Sequence, residues 1–297
     1  MVITPSYNSQ LSSAIMNLYD KARMYPMQKR EIYKTIVELS EYLLPTDVEA
    51  KNVVNIVKED LERNKKSIKS INGVVCDNVH IHLDLTHLKE EKDRKEVRRL
   101  YYREVLKQIK RMNYEIGINA SDDEKIKWIY NYLIDIPFDF SYARYKRNGK
   151  IEPTLAPQTY IAGYPNYPIN MYSEEIILLT EKPKAVCRAF GHLFKDLCTF
   201  ANLKNTYCGY IDGKHYGEGH EWNVIYKPDG IYMCDTSNLW ENKNDKYSQF
   251  MIPYERFKRD FKSYKTDSEL QHVLHLDKKV NRDNDNGVRI IRMTHRR

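Results

Sequence analysis

The sequence predicts an α+β protein in which helices come first and an antiparallel sheet comes late. Three observations predict it. Apolar residues recur at three- and four-residue steps through 10–71 and again through 88–136, the period of amphipathic helices. From Asn205 onward the period shortens to two, with a Pro228-Asp-Gly230 turn inside the run, which marks strands joined by tight connections. Between the two regimes lies one more helical stripe, Phe190, Leu193, Phe194, Leu197 and Ala201, whose first turn contains Cys187.

In chain order, Leu11, Ile15, Leu18, Ala22 and Tyr25 share one helical face that Pro26 terminates. Ile32, Ile36, Leu39 and Leu43 repeat the pattern before Pro45, and Val54, Val57, Leu61 and Ile68 carry it onto a strongly charged third helix. These faces predict a helical bundle or cap. Asn78 to Leu85 alternates, with Val79, Ile81, Leu83 and Leu85 on one side and His80, His82 and Asp84 on the other, and reads as a half-buried strand. His80 and His82 have the spacing of metal ligands but no third ligand accompanies them, so they read as a solvated face. Val97, Leu100, Tyr101, Val105, Ile109, Met112 and Ile116 form the stripe of a long helix over 88–116.

Ser121-Asp-Asp-Glu124 is a capping box, opening a helix that buries Ile126, Ile129, Tyr130, Leu133 and Ile134 and ends near Pro137. The Tyr- and Pro-rich segment from Pro137 to Pro168 is too long for a simple connection and reads either as a binding loop or as a packed excursion. Phe250, Tyr254, Phe257, Phe261 and Tyr264 predict a helix within Tyr247 to Leu276, and a basic tail runs from Asp277 to Arg297. The expected organisation is a mainly helical region over 1–118 with a strand near 78–85, a core over 119–245, and a C-terminal helix and basic tail over 246–297.

Composition narrows the class. Apolar residues make up 41% and charged residues 30%, which suits a packed globule and not a disordered chain. The net charge of +7 is diluted by 41 acidic residues and comes with no nucleic-acid motif, so a mixed, solvated surface is expected and no nucleic-acid partner. The 24 Tyr, each with an apolar ring and a polar tip, suit half-buried edges or a groove. Five Cys with no C-x-x-C pair argue against a disulfide framework or a structural zinc site, and neither a metal nor another cofactor is expected. No run of about 18 apolar residues predicts a membrane span, and the first residues lack a basic and apolar leader. A cytoplasmic location is expected, or secretion by a route without a visible signal peptide; oligomeric state is left open.

The chemistry-bearing residues concentrate between Pro183 and Asn238. Cys187 opens a helix, where the dipole and free backbone amides favour an anion, and Arg188 adds positive charge. Cys198, Cys208 and Cys234 fall inside periodic segments and read as small buried hydrophobes. Strands are expected over Asn205–Ile211, His220–Tyr226 and Ile231–Asp235. A hairpin about Pro228-Asp-Gly230 brings His220 and Asp235 to one end of it, although a bulge at Gly230 would decide whether they share a face. On one face, the carboxylate would orient the imidazole as in a catalytic triad. His192 sits off the thiol's helical face and His215 in a turn-rich loop; both are weaker candidates.

Cys187 at the head of an amphipathic helix, the His220-Glu-Trp222-Asn223 strand and Asp235-Thr-Ser together resemble the transglutaminase-like superfamily, a branch of the papain-like cysteine fold. The resemblance covers about 119–240, including Ile136-Pro-Phe-Asp-Phe140 ahead of the cysteine, and departs from the family at Ala185 and Thr236, where Gly and Pro are usual. It implies a papain/transglutaminase-like core with the catalytic helix packed on an antiparallel sheet. It also implies a Cys187 nucleophile, a His220 base and an orienting Asp235, with Trp222 and Asn223 packed beside the histidine. The expected activity is attack on amide bonds of a peptide or protein through an acyl-thioester, with protease, deamidase and transglutaminase outcomes all open. The alternative is a non-catalytic binding or scaffold module on the same fold.

Overall fold

The structure is a computed structural model and describes residues 7–42, 47–71, 91–138, 159–161, 164–169, 174–180, 185–215, 218–237, 247–261 and 264–266. The proposed strand at 78–85, with His80 and His82, lies outside the described residues, as do Cys76, most of the 137–168 segment and the basic tail.

The fold is α+β and mostly helical. Helices α1 (Tyr7–Met24), α2 (Lys29–Ser40), α3 (Val48–Ile71), α4 (Glu91–Ile116) and α5 (Asp122–Ile134) come first, with a 3-10 turn at Pro26–Gln28. Their stripes are the ones read from periodicity: Leu11, Ile15, Ile32, Ile36, Val57, Tyr101, Met112, Ile129 and Leu133 are all buried. The capping box of α5 is formed in both directions, Ser121 Oγ accepting from the Glu124 amide at 3.3 Å and the Glu124 carboxylate accepting from the Ser121 amide at 2.7 Å.

A small antiparallel pair, β1 (Thr159–Ile161) and β2 (Tyr164–Ile169), and a short helix α6 (Glu175–Leu179) precede the central element, helix α7 (Cys187–Phe200). Besides the predicted stripe, α7 buries Ala189, Gly191, Cys198 and Thr199, because α1, α4 and α5 cover one side and strands β3 and β4 the other. One hydrophobic core therefore runs from α1 through α7 into the sheet, joining Leu11 and Ile36 to Phe194 and Ile225.

The main sheet has five strands in the order β6-β5-β4-β3-β7, all antiparallel: β3 (Tyr207–His215), β4 (Glu218–Lys227), β5 (Gly230–Cys234), β6 (Ile252–Pro253) and β7 (Tyr264–Thr266). The aromatic run after 246 departs from the expected single helix. Among the described residues of this run only Tyr254–Asp260 is helical, as α8, while Ile252–Pro253 and Tyr264–Thr266 pair with the outer strands β5 and β3. Exposed strand edges demand hydrogen-bond partners, and this outweighs a helical spacing carried by few residues.

Long polar side chains lock the helical region to the segment between α7 and β3. Asn17 donates to the Leu203 carbonyl at 3.1 Å, and the buried Lys21 amine donates to the carbonyls of Leu203 and of Thr206, the latter at 2.6 Å. From α5, the Asp122 carboxylate accepts from the amides of Lys204 and Asn205 at 2.8 and 2.9 Å. Backbone groups of this loop, from buried Leu203 and Thr206 to exposed Lys204 and Asn205, are thereby satisfied without sheet or helix.

Candidate functional site

The site begins where the chain enters α7. Ala185 forms an isolated parallel bridge with Phe138, just past α5, and the Phe138 ring stacks on Phe190 at 6.1 Å. Val186 is the extended N-cap and supplies no side-chain hydrogen bond, and Cys187 is the first helical residue. The first-turn amides have no intrahelical acceptors, so the partial positive end of the helix is presented beside the thiol. Cys187 is partly exposed, whereas Cys198, Cys208 and Cys234 are buried, as their periodic settings predicted.

The hairpin register decides the relation of His220 to Asp235. Lys227 pairs with Gly230, so Pro228 and Asp229 alone form the connection, one residue fewer than the three expected. Asn223 then pairs with Cys234, and continuing the register sets Asp235 opposite Trp222. His220 is two residues from Trp222 and so lies on the same face as Asp235. Nε2 of His220 is 2.6 Å from Oδ2 of Asp235, and both groups are largely buried. The other carboxylate oxygen, Oδ1, accepts from the Ser237 amide at 3.0 Å and from the Ser237 hydroxyl at 2.7 Å. With the Asp235 amide donating to the Gln249 carbonyl at 3.2 Å, the carboxylate has one orientation.

Cys187 stands near enough to the His220 ring to add to the effect of Asp235 on its charge. Burial alone would lower the imidazole pKa. The Asp235 charge and hydrogen bond, joined by Cys187, override burial and lift it from 6.5 to about 10. The ring is therefore an imidazolium through the neutral range. Trp222 stacks on it with centroids 5.9 Å apart, and Phe257 of α8 backs the indole at 6.0 Å.

Asn223 does not join Trp222 beside the histidine. Adjacent strand residues face opposite ways, and Asn223 points to α7, where Nδ2 donates to the Gly191 carbonyl at 2.8 Å and the Gly209 carbonyl at 3.1 Å. It clamps the Cys187 helix to β3. Arg188 is half exposed and its nearest acidic partner is Glu221 at 3.9 Å.

Sequence reasoning missed Ser237 and Glu221 and set His192 aside as off the thiol's helical face. Ser237 was quoted only as part of a motif, although Asp-x-Ser is the pattern of an Asx turn in which the carboxylate accepts from the residue two ahead. Glu221 and His192, which meet at 3.2 Å between β4 and α7, have no local sequence signal. His215 lies in β3 and not in a loop. No cluster of ligand-type side chains suited to a metal occurs among the described residues, and no described helix is long and apolar enough to cross a membrane.

No family model matches the chain, and no curated protein matches it in sequence.

Proposed function

We propose that this protein is a cysteine-dependent enzyme of the transglutaminase-like type that acts on amide bonds of a peptide or protein, with Cys187 as nucleophile, His220 as acid and base, and Asp235 as orienting carboxylate. The observation that carries the reading is the convergence of the three groups. The imidazole meets a carboxylate at 2.6 Å, Cys187 lies near enough to the ring to raise its pKa, and the thiol is partly open to solvent. A scaffold role would leave no reason for an accessible thiol paired with a charged imidazole.

In this mechanism the Cys187 sulfur attacks the amide carbonyl carbon, and the C=O electrons move onto oxygen, which the first-turn amides of α7 hold. The oxyanion collapses, the C–N bond breaks, and His220 gives its proton to the departing amine. The product is an acyl-thioester and a neutral imidazole. An incoming water or amine then loses a proton to His220 as it attacks the thioester, and the thiolate–imidazolium pair is restored. Asp235 stays ionised throughout and stabilises the imidazolium. Water as acceptor gives hydrolysis or deamidation; an amine gives transamidation. Hydrolysis of a peptide or protein is the favoured outcome.

The test is an intact-mass assay on a glutamine-containing protein with and without an added primary amine. A gain of about one mass unit reports deamidation, an amine adduct transamidation and fragments proteolysis, since each identifies the acceptor. A substrate that stays unchanged across a panel of peptides and proteins, under conditions where Cys187 is reduced, refutes the enzyme reading.

A further inference from the structure

Beside the candidate triad, a second chain of charged groups crosses the molecule. Glu221 follows His220 in β4 and, by strand alternation, points to the opposite face, onto α7. Its carboxylate lies 3.2 Å from His192 Nε2 and 3.9 Å from Arg188 Nη1. Residues 188 and 192 are one helical turn apart, so the carboxylate sits against the first two turns of the helix that Cys187 opens. The Glu221–His192 pair is poorly solvated, with side chains 12% and 19% exposed, while Arg188 is open to solvent. The 3.2 Å contact lacks the alignment of a formed hydrogen bond, and neither His192 Nε2 nor Glu221 Oε2 has another hydrogen-bond partner. Charge therefore holds the two together.

His192 is gripped from the far side as well. Glu174, which caps α6, is 4.0 Å from its Nδ1, and Arg98 of α4 donates to Glu174 at 2.6 Å and to Glu175 at 3.1 Å. Tyr210 of β3 stacks on the ring at 4.1 Å, and Lys195 of α7, above Tyr210, opposes its protonation. Among the described residues His192 thus faces the carboxylates of Glu221 and Glu174, the Lys195 amine and the Tyr210 ring, with Arg188 and Arg98 on the far sides of the two carboxylates.

We propose that Glu221 and His192 are positioning residues for the thiol–imidazole pair, the ion pair between them tying the strand that holds His220 to the helix that holds Cys187. This rests on the enzyme reading above. The residue next to the base is fastened to the second turn of the nucleophile's helix, so the tie sets the distance from Cys187 to His220. The tie requires a protonated His192. Burial disfavours that state, and the nearby carboxylates of Glu221 and Glu174 outweigh burial and raise its pKa above 6.5. Loss of that proton at alkaline pH leaves Glu221 with Arg188 alone, at the longer distance, and loosens the placement of Cys187 against His220.

The experiment uses the full chain and iodoacetamide, with the modified cysteine located by peptide mass. The rate at Cys187 is followed from pH 5 to 9 for the wild type, His192→Gln and Glu221→Gln. Each single variant is expected to react about ten- to a hundredfold more slowly at neutral pH, the range for a misplaced reacting group. The double variant should be no slower than the singles, because one interaction is lost in all three. The wild-type profile should contain a step that His192→Gln lacks. If either single variant fails to fold, the apolar pair His192→Leu/Glu221→Leu is measured instead, since an intact ion pair is commonly replaceable by apolar groups where half a pair is not. Cys187 rates within twofold of wild type in the folded variants, with no change of profile, overturn the positioning role. Inert Cys187 in the wild type overturns the enzyme reading on which it stands, and the two failures are thereby distinct.

Discussion

Asp235→Asn is the perturbation most sharply specified by the geometry. Lifting the imidazole from 6.5 to about 10 amounts to about 5 kcal/mol in favour of the imidazolium, and Asp235 supplies most of it, against burial. In the variant, the Ser237 amide and hydroxyl still call for an acceptor where Oδ1 stands, so the Asn carbonyl oxygen takes that place. Its NH2 group then faces Nε2, which must become an acceptor. The ring proton is forced onto Nδ1, the nitrogen away from Asp235, and the base loses the tautomer that Asp235 holds. The charge and the tautomer are lost together. Turnover should drop on the order of 10³- to 10⁴-fold, and the alkaline limit of turnover, set by the His220 proton that the leaving amine takes, should fall from about 10 to 6.5 or below. The assay is the pH profile of turnover, paired with NMR titration of the His220 ring protons. A His220 titration that stays near 10 in the variant would show that Asp235 is not what holds His220 protonated, and the triad assignment would fail.

The same linkage reaches stability: the folded-state pKa of His220 lies above its unfolded value, so its contribution is complete below 6.5 and lost as pH rises through about 10. Lys21 acts the other way, because desolvation lowers its pKa from 10.5 to about 8 and stability is regained between those values. Urea melts of wild type and Asp235→Asn, compared from pH 6 to 10, should therefore converge as pH rises; parallel curves would contradict the linkage. Asn223→Ala removes two buried hydrogen bonds that join Gly191 and Gly209, and should cost about 2–4 kcal/mol in a urea melt; a loss under 1 kcal/mol would deny the clamp. Iodoacetamide at neutral pH should modify Cys187 well before buried Cys198, Cys208 or Cys234, and His220→Ala should slow that reaction; mass mapping that finds Cys198 or Cys208 labelled first would count against the site.

Much of this architecture is legible in local sequence because it is locally caused. The stripe from Phe190 to Ala201 and the preceding Val186 place a helix start at Cys187, and the structure has its first helical residue there. The capping box does the same for α5. The hairpin was legible as a hairpin, but the facing of His220 and Asp235 turned on the parity of the connection, and Pro-Asp-Gly accommodates either two or three loop residues. Lys227 pairing with Gly230 settles it for one shared face. Asn223 follows from the same alternation, which sends it away from the histidine and toward Gly191. The ties among Arg98, Glu174, His192 and Glu221 had no local trace, since their partners lie far apart in sequence and meet only when α4, α6, α7 and β4 pack. The aromatic residues after 246 misled because their spacing fits a helix, while the outer strands β3 and β5 were left needing partners.

The most direct measurement is trapping of the covalent intermediate. The protein is mixed with a glutamine-containing substrate that it turns over, quenched in acid within its first turnover, and its intact mass and peptide map are recorded. The mechanism predicts an acyl adduct on Cys187 that hydroxylamine removes, that accumulates in His220→Ala loaded with an activated ester, and that is absent in Cys187→Ala. Turnover that persists in Cys187→Ala, or an acyl group found on any other residue, would contradict it.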